Sequence, residues 1–405
     1  MAGLTLRARV VVTGLGPVSS IGIGVTAFRA ALREGRSGIS PIESFDAEGF
    51  PYRDAGEVKD FRPETYLTRL SPAAWGRSAQ LAAAAARLAA ADAGLPDDAC
   101  ADAGVVIGTT SGESQVVESL VAQQVAGGFA AMDPGTLRQF PAERLAAGVA
   151  TELGLAGEVL TLATACSASN YAVGYAFDCV ARGDADLMFA GGADSVCRWA
   201  QAGFHRLGAL TESACRPFDK GRAGIITGEG GAVLLLENAD HARARGARVY
   251  AEVLGYGVNC DARHMVAPDE DSIAACMRLA HQDADVKPDE IDYICAHGTG
   301  TPANDLVEAR AVRQVFGERI PPVSSIKSML GHTMGAASGF GAIATTLAIA
   351  DGFLPPTINW TTQDDELPWI DPVPNVARPA TVRIAQNDGF AFGGNNAITV
   401  FGAAR

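Results

Sequence analysis

Cys166, His297 and His332 each stand in a frame of glycine and small residues: Thr164-Ala165-Cys166-Ser167-Ala168-Ser169, His297-Gly298-Thr299-Gly300-Thr301 and Gly331-His332-Thr333. The chain has only six histidines, and two in such frames point to a nucleophilic cysteine served by paired imidazoles. Cys166 lies between a β-rich run and a helical stretch, so its sulfur falls near a helix N-terminus. There the exposed N–H groups and the positive end of the dipole favour thiolate over thiol. Its small neighbours permit a sharp strand-to-helix turn that exposes a nucleophile and aims backbone N–H groups at an oxyanion. The bland alternative is a buried, inert cysteine.

His297 follows the apolar run 291–296, which places it in an accessible loop at a strand end, and Thr299 and Thr301 offer hydroxyls to an extended polar ligand. A purely structural histidine is the alternative. Asn304, Asp305 and Glu308 read as the N-cap and first-turn acids of the next helix. Lys327, in an apolar segment shortly before His332, either reaches water or is held by a buried acid, with Asp305 and Glu308 as candidates. Buried beside His332, its ammonium would keep that imidazole neutral. In the segment 387–396, Phe390 and Phe392 in a glycine frame read as core packing or as a mobile aromatic gate with a backbone N–H for an oxyanion.

The elements that must carry these groups alternate. Strand-like runs at 10–12, 105–107, 187–189 and 233–236 are separated by Ala-rich helical stretches such as 81–91, an α/β pattern with largely buried sheets. The run 159–162 leads through Cys166 into a small-residue helix ending near Gly183; the run 323–326 leads through His332 into another ending near Gly352. This echo indicates duplication into halves 1–250 and 251–405. Gly14-Leu15-Gly16 follows a strand as a dinucleotide fingerprint would. Ser19 occupies the place of its third glycine, so tight-turn glycines are the better reading.

With 405 residues, 48% of them hydrophobic, the chain exceeds one typical domain. A net charge of −14 argues against nucleic acid. Eight cysteines without CxxC spacing indicate neither a zinc site nor a disulfide framework, and a reducing compartment is expected. Residues 1–7 lack a signal-peptide layout, and the uncharged stretch 334–350 is too rich in Gly, Ala and Thr for lipid, so a cytoplasmic protein without membrane attachment is expected.

These segments together resemble the β-ketoacyl-acyl-carrier-protein synthases, the condensing enzymes of fatty acid and polyketide synthesis. The resemblance runs nearly end to end, through Val10-Val11-Val12-Thr13-Gly14-Leu15-Gly16, the cysteine frame, Gly183-Asp184-Ala185-Asp186, Ala190-Gly191-Gly192-Ala193, Arg216-Pro217-Phe218-Asp219, Gly228-Glu229-Gly230, both histidine motifs and Phe392-Gly393-Gly394. It implies a thiolase-like αβαβα sandwich of two similar halves, usually dimeric. It also implies Cys166 as the acylated nucleophile, with His297 and His332 promoting malonyl decarboxylation and stabilising the enolate. Lys327 and Glu308 match the supporting pair, with Asp305 beside them. The N–H groups of Cys166 and Phe392 match the oxyanion hole, and Thr299 and Thr301 the threonines that hold phosphopantetheine. No metal or redox cofactor is implied. The partners implied are an acyl carrier protein and either a second copy or a chain-length-factor-like homologue.

The chain departs from the family pattern in places. The segment Leu70 to Arg77 carries little of the usual basic cluster for carrier docking, and the loop Gly208 to Cys215 is shorter than usual and lacks an arginine. Ile225 stands where many relatives have phenylalanine, Thr109 to Ser114 with Ser111 replaces an apolar gate, and Asp388-Gly389 replaces Asn-Ser or Asn-Ala. Ser111, Ile225, Phe390 and Phe392 are thus expected to line a smaller or more polar acyl pocket, suited to a specialised type II polyketide or fatty-acid-like pathway. Two other readings compete: a chain-length-factor-like subunit, which typically lacks the cysteine, and a cysteine acyltransferase that does not condense.

Overall fold

The structure, a computed structural model, describes residues 7–404; residues 1–6, read above for targeting signals, lie outside the described residues. Ten strands frame it: β1 (Val10–Ser19), β2 (Gly104–Gly108), β3 (Val159–Leu162), β4 (Leu187–Asp194), β5 (Gly230–Asn238), β6 (Ala251–Cys260), β7 (Tyr293–Cys295), β8 (Val323–Ser324), β9 (Ile384–Gly389) and β10 (Asn395–Gly402). Their spatial order is β8-β7-β9-β10-β6-β1-β5-β4-β2-β3. In the first half β1–β5 and β5–β4 are antiparallel while β4–β2 and β2–β3 are parallel. The second half repeats the pattern: β6–β10 and β10–β9 antiparallel, β9–β7 and β7–β8 parallel. The copies meet where β1 pairs with β6, Val10 opposite Val253.

Helices α1 (Arg77–Asp92), α2 (Ser114–Gly127), α3 (Arg144–Leu153), α4 (Ala168–Arg182), α5 (Glu270–Asp283), α6 (Pro302–Phe316), α7 (Lys327–Leu330) and α8 (Ala337–Asp351) complete the frame. On β5, Leu234 and Leu236 join the cluster of α4 and α8, whereas Val233 and Leu235 join that of α1 and α3. Ile398 and Val400 of β10 turn to α5 and α6. The layers are therefore α1/α3, sheet, α4/α8, sheet, α5/α6, an αβαβα sandwich. Sheets covered on both faces explain why the strands read as continuous apolar runs.

Gly14 and Gly16 sit inside β1 and not in a tight turn. A Cβ at Gly16 would lie 1.8 Å from the carbonyl oxygen of Ala85, and one at Gly14 2.1 Å from that of Ala89, so both glycines let α1 press against the strand.

The two central helices start alike. Ala165 (φ 51°) and Met334 (φ 53°) both take the left-handed conformation, a short 3-10 turn follows each, and α4 and α8 both end on a left-handed glycine, Gly183 and Gly352. The positional counterpart of Cys166 is thus Gly335, not His332. Residues 325–333, including α7 and His332, fill the longer connection in the second half, where only residues 163 and 164 separate β3 from Ala165.

Candidate active site

Cys166 sits in the turn that opens α4 and is buried. Burial pushes its thiol up to about 12, and the nearby charge of Lys327 and the backbone N–H groups of Cys166 and Phe392 offset only part of this. The resting group is a thiol, contrary to the thiolate expected from a helix start, because depth in the fold outweighs a few oriented dipoles.

His297 follows β7 in a loop that Glu308 of α6 pins by both carboxylate oxygens: the His297 N–H donates to Oε1 at 2.7 Å and the Gly298 N–H to Oε2 at 2.8 Å. Asp305 does the same one turn earlier, accepting from the N–H groups of Phe218 and Gly300. The N-cap of α6 is Thr301, whose hydroxyl accepts from the Asn304 N–H, so Asp305 and Glu308 are loop anchors and not caps. Burial lifts Glu308 to about 7.

Among the described residues, no carboxylate forms an ion pair with Lys327. Its Nζ donates to the carbonyl oxygen of His297 at 2.5 Å and faces Nδ1 of the same ring at 3.5 Å. The expected direct link to Asp305 or Glu308 is replaced by one through the main chain of His297. Burial lowers the Lys327 ammonium below its usual value, while Cys295 and Glu308 oppose the shift.

His332 is held by its backbone against the segment 226–228: its N–H donates to the carbonyl of Ile226 at 2.7 Å, and its own carbonyl accepts from Gly228 at 2.8 Å. Its Nδ1 accepts the N–H of Met334 at 3.1 Å, so a neutral ring carries its proton on Nε2. The same tautomer holds for His297, whose Nδ1 faces an ammonium. Burial, with Lys327 next, lowers His332 to about 3 and His297 well below its usual value. Both imidazoles are neutral Nε2–H donors, with ring centroids 5.6 Å apart.

Cys166, His297 and His332 open into one cavity of about 270 Å³ that Thr299, Thr301, Ile225, Phe390 and Phe392 also line. The Thr299 and Thr301 hydroxyls lie 2.9 Å apart, and the Phe390 ring stands 5.6 Å from His297. Phe392 is 37% exposed and followed by Gly393 and Gly394 at positive φ. Ser111 does not line this cavity; its N–H is turned onto Asp194. Asp194, not singled out in the sequence, also accepts from Thr109, Thr110 and Gly335, tying the loop after β2 to the start of α8. An acidic residue closing the apolar run 187–193 was the available signal. Among the described residues no cluster of metal-ligating side chains occurs, no helix is long and apolar enough to cross a membrane, and all eight cysteines are free.

A cysteine at a central helix start that shares one cavity with paired imidazoles, in an αβαβα sandwich, is the arrangement of a thiolase-like condensing enzyme. The family model for the β-ketoacyl synthase N-terminal domain matches residues 7–242, and that for the C-terminal domain residues 250–361. The chain belongs to the β-ketoacyl synthase family, acyl-transferring enzymes that form a carbon–carbon bond. It is 38% identical to 3-oxoacyl-[acyl-carrier-protein] synthase 2 of Vibrio harveyi over 98% of both chains. Its fold superimposes on a structure titled the ishigamide ketosynthase/chain length factor with a TM-score of 0.97 and 51% identity, covering 98% of this chain and 100% of that one. A type II polyketide ketosynthase in complex with its acyl-carrier protein and bound to the hexaketide matches at a TM-score of 0.89 and 31% identity, again over 98% and 100%.

Proposed function

We propose that this chain condenses an acyl group, held as a thioester on Cys166, with malonyl-acyl-carrier protein, giving a 3-ketoacyl-carrier protein in a specialised type II pathway. The observation that carries this reading is the pair of neutral Nε2–H donors sharing one cavity with the cysteine.

In the first half-reaction Cys166 attacks the carrier thioester. The sulfur gives up its proton as the carbon–sulfur bond forms, the N–H groups of Cys166 and Phe392 hold the oxyanion, and the carrier thiol leaves. In the second, His297 and His332 donate to the malonyl thioester oxygen, which takes the electron pair as carbon dioxide departs; the enolate carbon then attacks the acyl carbonyl, the carbon–sulfur bond to Cys166 breaks, and a proton from water restores its thiol. Neutral imidazoles suit this step because they stabilise an oxyanion without first surrendering a proton. Thr299 and Thr301 hold the phosphopantetheine; Asp305 fixes the loop between them through Gly300, and Glu308 fixes His297. Decarboxylation supplies the carbanion, so neither metal nor redox cofactor is required.

The apolar side chains of Val125 and Phe129, 81% and 80% exposed, and the edge strand β3 support a second ketosynthase-like chain as partner, either another copy or a chain-length-factor homologue. Arg77, the one positive charge in the segment 70–77, is turned onto Glu229, so this segment offers a carrier protein little free positive charge. Free cysteines fit a reducing cytoplasm.

Intact-protein mass spectrometry after incubation with acyl-carrier protein tests the proposal. The acyl mass should appear on Cys166, and malonyl-carrier should then release carbon dioxide and ketoacyl product. Acylation without condensation across several carriers would instead identify a cysteine acyltransferase, and full product formation by Cys166→Ala would sink the assignment.

A further inference from the structure

Asp388 takes no part in the chemistry above, yet it is buried in β9 two residues before Phe390, whose ring packs against His297. Its Oδ1 accepts from the Gln386 amide at 2.6 Å, and its Oδ2 is buried without a hydrogen-bond partner. With its NH2 so engaged, Gln386 uses its Oε1 to accept from His281 Nε2 at 2.7 Å. One neutral amide is thus the whole polar support of this carboxyl group. The ionisable groups facing it are Glu308 from α6, Lys327 from α7, Cys295 from β7 and Cys276 from α5, with His281 beyond Gln386.

Two buried carboxyl groups therefore lie in the field of one lysine. Glu308 receives two backbone N–H groups and the Asn304 amide, whereas Asp388 receives a single amide. Negative charge settles on the better-solvated group and the proton on the other. We propose that Asp388 is a positioning residue that works as a neutral carboxylic acid, adding no further negative charge to the carboxylates of Glu308 and Asp305 behind His297. Ionised, it would draw the field of Lys327 away from the histidines and place a buried negative charge behind a forming enolate. Asparagine at this position would be neutral at every pH; aspartate is neutral only while protonated. The site should accordingly fail on the alkaline side.

This inference rests on the condensing reading, and its test separates the two. In the full-length enzyme with carbon-13-labelled aspartate, infrared spectra at neutral pH should show the carbonyl band of a protonated carboxylic acid that Asp388→Asn removes. The wild-type rate of malonyl-carrier decarboxylation should fall about tenfold per pH unit along an alkaline limb, as expected for one ionising group, and Asp388→Asn should move that limb to higher pH, where loss of the Lys327 proton remains. Asp388→Leu should lose more than about tenfold at neutral pH, and Asp388→Asn should recover most of that loss. Absence of the band, or superimposable profiles for the wild type and Asp388→Asn, overturns the inference. Absence of malonyl decarboxylation by the wild type at every pH overturns the condensing reading instead, and the infrared band still reports on Asp388.

Discussion

Lys327 binds the carbonyl oxygen of His297 and faces Nδ1 of the same ring, so a single ammonium fixes that residue's main chain, tautomer and charge. Replacing Lys327 with methionine should release both imidazoles to take up protons nearer the ordinary histidine value. Malonyl decarboxylation should slow by about a hundredfold or more, the scale of losing one oriented charge at a developing oxyanion, and its acid limb should move upward in pH. A pH–rate profile whose acid limb stays in place would contradict this role.

His332 also links the site to stability. Its folded value is lowered from 6.5 to about 3, so the unfolded chain binds a proton that the folded chain refuses as pH falls from 6.5. Its stabilising contribution is complete above that value and is lost progressively towards about pH 3, at about 1.4 kcal/mol per pH unit. Denaturant unfolding at about pH 6 and pH 5 should show His332→Asn losing less stability over the interval than the wild type, by about that amount.

Glu308 accepts from two adjacent N–H groups with two oxygens. Glutamine has one acceptor oxygen and would turn its NH2 towards the other donor. Glu308→Gln should cost about 1–3 kcal/mol in unfolding experiments and lower kcat more than it raises KM, since it displaces a ring and not a substrate contact.

A Cβ at Gly335 would lie 2.5 Å from Cα of Thr109 and 2.7 Å from Asp194 Oδ2, while one at Gly183 meets nothing within 4 Å. Gly335→Ala should therefore cost at least about 1–3 kcal/mol through overpacking. It should also slow acylation, because Ser169 beside the nucleophile donates to the Gly335 carbonyl at 2.5 Å. Gly183→Ala should cost about 1 kcal/mol, from its left-handed conformation, and leave acylation alone. Parallel unfolding and acylation rates check the contrast.

The framed cysteine and histidines, the repeated strand-to-helix pattern and the buried central helix were legible because each depends on local composition and period. Quantities set by distant packing were not. The raised thiol of Cys166 follows from depth, and the partner of Lys327 from a main-chain carbonyl that no side-chain pattern announces. Gly14 and Gly16 resembled a turn because the helix they accommodate lies far along the chain. Asp194 escaped notice because its four partners come from two other loops. Ser111 was assigned by position in a motif, whereas its loop is folded back onto that same carboxylate.

The longer connection between β8 and α8 has a constructive consequence. Both central helices begin from the same left-handed step and are stitched together there by Ser169 on Gly335 and Ser338 on Asn170. That junction leaves the preceding loop free to change length without shifting either sheet. In one twin the loop is minimal and a thiol stands at the step; in the other, residues 325–333 loop out and bring a lysine and an imidazole to the same spot. The reactive asymmetry of the enzyme is an insertion on a symmetric chassis, so loop exchange at this position offers a route to new chemistry that leaves the scaffold untouched.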